Sequence, residues 1–102
     1  METFAIEPLA PADASGFMSA ALWGDALAQF KLGFAHYMGN GVSQSFELSY
    51  FWMSVVAGAM PEHARPMLWA LSTRLNAEVR KMLDREAARW QPGMLPPSLC
   101  LH

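Results

Sequence analysis

The chain has one cysteine, Cys100, so no internal disulfide is possible and the fold must close without a covalent link. That fits a reducing compartment. Bases are scarce at the front. Residues 1–61 contain Lys31 alone against Glu2, Glu7, Asp13, Asp25 and Glu47, a net of −4; residues 62–102 carry six bases and four acids, a net of +2. The total of −2 is too small to direct the chain to nucleic acid or to a membrane surface. Long apolar runs are also missing. Leu48 to Pro61, an apolar stretch without a formal charge, has 14 residues, short of the roughly 20 a bilayer span needs. The opening Met-Glu-Thr leads into no basic region followed by an apolar core, so no secretory leader is expected. These absences make a cytoplasmic protein without membrane contact the expectation. A length of 102 residues fits one domain with a modest core.

Catalytic patterns are absent as well. The chain shows no nucleophile elbow, no phosphate loop and no paired catalytic carboxylates. His36 falls beside a packing face and reads as a core histidine in place of an aromatic. His63 sits at a proline-flanked turn, and Cys100 with His102 is half of a four-ligand zinc set at best. The expectation is a non-enzyme with no cofactor and no metal.

What is present is helical patterning, densest from Gly24 to Met60. The chain leads in irregularly over residues 1–12, where Pro8 and Pro11 disfavour a helix interior. A short helix then runs from about Asp13 to Trp23, capped by Asp13 or Ser15, with Phe17, Ala20 and Ala21 inward and Gly24 at its end. Asp25 caps a helix over 26–38 whose inward face is Ala28, Leu32, Ala35 and His36. Gly33 lies in its middle, where glycine costs about 1 kcal/mol against alanine, and close approach of another backbone is the usual compensation. Gly39-Asn40-Gly41 stops the helix and turns the chain, with Val42 covering the end. Ser43 or Ser45 caps a second helix over 46–59, with Leu48, Ser49, Trp52, Val55 and Val56 inward. So short a link makes an antiparallel hairpin.

The spacing Ala28-Gln29, Leu32-Gly33, then Gly39, Gly41 and Val42, with Trp52 and Ala57 following, resembles the Sel-one-like repeat, an α/α hairpin repeat of the tetratricopeptide-like class. The sequence departs from that pattern where the family usually has tyrosine (His36, though Tyr37 follows), aspartate (Ser45) and alanine (Ser49 and Val56). A 36-residue shift pairs Ala21 with Ala57, Ala28 with Ala64 and Leu32 with Leu68. The resemblance implies an all-α fold, a short right-handed α/α solenoid of antiparallel helix hairpins with about five helices. Its domain covers 13–91, with one complete repeat over 25–60 and capping helices over 64–74 and 77–90. Pro61 and Pro66 would fall before or in the first turn of the 64–74 helix. Trp69, which the shift places at Gly33, bars a second close crossing. Asn76 would cap the last helix, with Val79, Met82, Leu83, Ala87 and Trp90 as its stripe and Arg80–Asp84 as an i,i+4 pair. The proline-rich tail 92–102 has no regular element, and Leu95, Leu99 and Leu101 pack back or meet a partner.

Apolar residues are in excess. Residues 25–60 hold 21 hydrophobic residues of 36 and three charged ones, more than one hairpin buries alone. Phe30, Phe34, Tyr37 and Met38 lie off the inward face of the 26–38 helix, and Phe46, Tyr50, Phe51 and Met53 lie partly off the core set of the next. These residue types favour protein interfaces. Two functions follow. One is a bacterial adaptor or regulator that holds a partner helix or peptide at Phe30, Phe34, Tyr37, Met38, Tyr50 and Phe51. The other is self-assembly into a homodimer through the same face. A small hydrolase or metal protein is the outlying reading. The competing structural reading is that flanking helices and the tail cover these side chains.

Overall fold

The computed structural model describes residues 11–97, which form five helices and, among the described residues, no strand: α1 (Pro11–Leu22), α2 (Ala26–Met38), α3 (Phe46–Val56), α4 (Pro61–Ser72) and α5 (Ala77–Arg89). Helix α1 starts at Pro11, so Asp13 and Ser15 lie within it and do not cap it, and the irregular lead-in does not extend to residue 12. Its end is sealed locally. The Trp23, Gly24 and Asp25 amides donate to the Ala20 and Ala21 carbonyls, and Gly24 takes φ +103°. From α2 the buried Gln29 donates its amide to Ala21 O at 3.1 Å, adding a partner for a carbonyl at the helix end.

The predicted caps form. Asp25 Oδ1 accepts from the Ala28 amide at 2.8 Å, Ser45 Oγ from Leu48 at 3.1 Å, and Asn76 Oδ1 from Val79 at 2.8 Å. Of the two serines proposed for α3, Ser45 is the cap. Gly39 is left-handed at φ +72° and closes α2 by donating to Ala35 O at 2.7 Å. A Cβ there would also stand 3.1 Å from Gln44 Cβ, so the turn needs glycine for space as well as for φ. Gly41, at φ +85°, completes the turn, and Val42 packs half-buried against the core.

Boundaries differ at three places. Helix α3 stops at Val56, because Ala57–Ala59 turn back on the Ser54 and Val56 carbonyls. Helix α4 begins at Pro61 and ends at Ser72, so Pro66 sits inside it and not in its first turn. The carbonyl that loses Pro66 as its donor belongs to Glu62, in the exposed opening turn, where water can take over the bond. Helix α5 ends at Arg89, with Trp90 extended beyond it.

Helix α3 is the centre of the fold, packing against α2, α4 and α5. Three neighbours leave it almost no outward face: Ser49, Tyr50, Phe51, Trp52, Met53 and Val56 are all buried. On α2, Ala28, Leu32, Ala35 and His36 are buried as the periodicity predicts. Ala64 and Leu71 of α4 and Leu83 of α5 complete the centre, with Val79, Met82, Ala87 and Trp90 packed half-buried around it. The crossing of α2 on α3 lies at Gly33, where a Cβ would stand 3.1 Å from Met53 Cε, 3.3 Å from Trp52 Cβ and 3.5 Å from Ser49 O.

The predicted Arg80–Asp84 pair does not form. Arg80 Nη1 donates to the Ser72 and Leu75 carbonyls at 2.7 and 3.2 Å, at the C-terminal end of α4. The Ser72 carbonyl ends α4, lacks a helical donor and carries the negative end of the helix dipole, and the Leu75 carbonyl lies in the turn beyond it, so a cation is better placed there than beside a solvated carboxylate. Asp84 Oδ1 accepts instead from Tyr50 Oη at 3.0 Å, tying α5 to α3. After α5 the chain returns to the α1–α2 corner. Gly93 N donates to Leu22 O at 2.6 Å, Pro92 lies against Gly24, and Trp90 Nε1 donates to Met94 O at 3.0 Å. Leu95 is exposed, while Leu99 and Leu101 lie outside the described residues.

Two substitutions test the crossing. Gly33→Val should lower the urea unfolding free energy by about 1–3 kcal/mol, since its methyls meet Met53, Trp52 and the α3 backbone. Ser49 Oγ is buried beside that crossing without a hydrogen-bond partner. Ser49→Ala should therefore raise stability, by about 1 kcal/mol, because an unpaired buried hydroxyl disappears and helix propensity improves. Loss of stability in the alanine variant would show that the hydroxyl has a partner in solution.

Candidate protein-binding surface

Helix α2 turns two faces to different surroundings. With Ala28, Gln29, Leu32, Gly33, Ala35 and His36 inward, residues 27, 31, 34 and 38 follow i, i+4, i+7, i+11 spacing on the other side. Leu27, Phe34 and Met38 are 52%, 45% and 56% exposed, and Lys31 stands among them.

Aromatic contacts extend this face to both sides. Toward α1, Lys31 Nζ lies 5.1 Å from the centroid of the Phe17 ring, a cation–π distance. Toward α4, Phe30 is half-buried, stacks on Phe34 at 6.4 Å and meets the His63 ring edge-on at 5.6 Å. Phe17, Lys31, Phe34, Phe30 and His63 thus make one continuous band across α1, α2 and α4. Near the C-terminal end of α2, Tyr37 packs on Phe46 at 5.7 Å, and the Arg74 guanidinium covers Phe46 at 5.2 Å. Tyr37 is half-buried by that contact and lies at the margin of the band.

Of the six side chains assigned to partner binding, the structure brings Phe30, Phe34 and Met38 together on α2 with Tyr37 beside them. Tyr50 and Phe51 are corrected. Phe51 is 1% exposed and edge-on to Trp52 at 4.9 Å, and Tyr50 is buried against Asp84. The reason is that α3 is wrapped by three helices, so its second apolar face belongs to α4 and α5. Met53, also placed off the core set, is fully buried for the same reason.

Sequence reasoning passed over Leu27 and, among the described residues, the two most exposed aromatics, Trp23 and Trp69. Signals for all three were present. Leu27 shares the i, i+7, i+11 line with Phe34 and Met38. Trp69 falls off the Ala64–Leu68–Leu71 stripe of α4. Trp23 comes after the last inward alanine of α1, and its indole rests on Gly93.

Two buried titratable side chains of the α2–α3 hairpin hold the fold together. His36 is buried, its Nδ1 donates to Ser43 O at 3.0 Å, and burial holds its pKa below the usual 6.5 against a smaller upward pull from that bond. It ties the end of α2 to the loop that the Ser45 amide closes on His36 O. Burial, with the hydrogen bond and charge of Asp84, raises the Tyr50 phenol. Among the described residues no group of three or more His, Cys, Asp or Glu is placed to hold a metal ion. None of the described helices is long and apolar enough to cross a membrane. Comparison with family models, with curated proteins and with solved structures finds no match for this chain.

The histidine gives a signed pH dependence. The folded state holds His36 less protonated than the unfolded chain does, so its stabilisation is complete above the unfolded pKa and is lost as pH falls through the folded one. The urea midpoint should drop between about pH 7 and about pH 5, and His36→Phe should flatten that limb. An equally steep limb in the variant would assign the loss to other groups.

Proposed function

We propose that the protein is a non-catalytic interaction module, a small cytoplasmic adaptor or regulator that holds a helix or peptide of another protein against the outward face of α2. One observation carries this reading: Leu27, Phe34 and Met38 form an exposed apolar line on a helix whose opposite face is fully packed. The flanking band from Phe17 to His63 widens it into a surface, and aromatic and methionine side chains suit protein contacts. The caps, the glycine crossing and the hairpin of α2 and α3 are what the Sel-one-like resemblance would lead one to expect, and two contacts link the second pair of helices to the first. His63 at the start of α4 meets Phe30, and Arg74 beyond its end reaches Phe46 beside Tyr37. On that reading α2–α3 and α4–α5 are successive hairpins of a short solenoid, with α1 the remnant of a preceding one and α5 the closing cap. Repeats of this kind commonly scaffold protein complexes, in bacterial signalling among other settings. The alternative reading, a homodimer, uses the same apolar face.

Phe34→Asp separates these from a face without function. The side chain is exposed, so the variant should fold with stability within about 0.5 kcal/mol of the parent. Affinity capture from the native host should lose the partner that the parent chain retains. A strict monomer at micromolar concentration in sedimentation would exclude the homodimer. If the variant keeps both the captured partner and the oligomeric state of the parent, the α2 face is not the site.

A further inference from the structure

The outward face of α2 is apolar, yet it carries a positive charge and no negative one. Between Asp25 and Glu47, Lys31 is the only charged residue of the chain. It stands in the line of Leu27, Phe34 and Met38. We infer that the segment this face receives is an acidic amphipathic helix. Its apolar side covers Leu27, Phe34 and Met38, and its carboxylates meet Lys31 and Arg74. The inference rests on the binding role proposed above and names the chemistry of the partner.

Charge is the first argument. Two exposed cations belong to this surface, and both heads are already placed. Lys31 Nζ lies 5.1 Å from the centroid of the Phe17 ring, on the α1 side. The Arg74 guanidinium lies 5.2 Å from that of Phe46, whose ring packs on Tyr37 near the other end of α2. A cation seated on a ring has an apolar neighbour on one side and restricted freedom. A carboxylate arriving from the open side therefore orders less and gains a charge-assisted bond. The acids nearest in sequence have other positions. Asp25 accepts from the Ala28 amide at 2.8 Å, and Glu47 and Glu62 lie in the first turns of α3 and α4, where a negative charge complements the helix dipole.

The second argument is backbone satisfaction. The described residues contain no strand, so this surface offers no sheet edge on which an extended peptide could pair its amides and carbonyls. A helix pairs them internally. The line from Leu27 to Met38 is about 16 Å long, or about three turns, and a helix of that length covers it with apolar residues at i, i+3, i+4 and i+7. Along α2, Lys31 and Tyr37 are about 9 Å apart. Carboxylates serving both cations thus stand about two turns apart beside the apolar stripe. Arg74 presents a planar fork that one carboxylate can occupy with both oxygens.

A second copy suits the face less. Helix α2 contains no acid, so an isologous contact through its middle would bring Lys31 toward its own counterpart.

The test selects random peptides displayed on phage, each of about 16 residues or four turns, against the full chain, after removal of those that bind Phe34→Asp. Retained peptides should carry several-fold more Asp and Glu than the unselected library, beside apolar residues at helical spacing. Affinity for a retained peptide, read by fluorescence anisotropy, should fall about tenfold or more in Lys31→Gln with Arg74→Gln. Lys81→Gln with Arg85→Gln removes two exposed cations of α5 and should leave it unchanged. Retained peptides without an acidic excess would overturn the inference. So would an affinity untouched by the Lys31 and Arg74 substitutions, or lowered equally by those on α5. A dimer in sedimentation that Phe34→Asp dissolves would place a second copy on the face and also overturn it. Failure is separable from that of the proposed function. Peptides that Phe34→Asp rejects but that lack acids keep the face and remove the acidic partner. If no peptide distinguishes the parent from Phe34→Asp, both fall.

Discussion

Trp52 is enclosed because Gly33 carries no side chain. The indole is 1% exposed, edge-on to Phe51 at 4.9 Å and to Trp90 at 5.4 Å, and its Cβ sits where a Gly33 Cβ would nearly touch. A glycine in mid-helix weakens α2 by about 1 kcal/mol, but it lets α3 approach closely enough to bury the largest side chain of the core. The rest follows from that approach. With α3 drawn onto α2, its remaining circumference is available to α4 and α5, and Trp90 reaches the indole from the end of α5. The segment after Trp90 then lies over the α1–α2 corner through Gly93 and Pro92.

The apolar excess of residues 25–60 divides unequally between the two helices of the hairpin. Helix α3 loses nearly all of its share to the core, since three helices surround it. Helix α2 packs on α1 and α3 and keeps an open side, where Leu27, Phe34 and Met38 remain exposed. Two helices of similar composition thus have different fates, and the difference lies in the number of neighbours. The binding proposal concerns only the helix that retains a free face.

Local chemistry was legible in the sequence wherever a rule acts over four or five residues. Asp25, Ser45 and Asn76 cap because a short polar side chain before a helical pattern reaches the amide three positions on. Gly39 stops α2 because glycine takes φ +72° without strain. The inward face of α2 followed from spacing alone. Less legible were choices between competing partners. Arg80 and Asp84 have the spacing of an ion pair, yet each finds a better partner in another helix, the one at the carbonyl ending α4 and the other at the Tyr50 hydroxyl. Pro66 was read as a helix boundary because the exposure of the Glu62 turn, which makes it tolerable, depends on the packed fold.

By itself the sequence determined the all-helical class, the α2–α3 hairpin with its glycine turn, and the need for a close crossing at Gly33. Each rests on backbone geometry or helical periodicity, which act within a few residues. Only the tertiary structure decided that Tyr50 and Phe51 are core, that Leu27 joins Phe34 and Met38 in the open, and that Trp69 faces outward. Which side of an apolar helix is covered depends on how many other helices reach it, and that is a property of the packed chain.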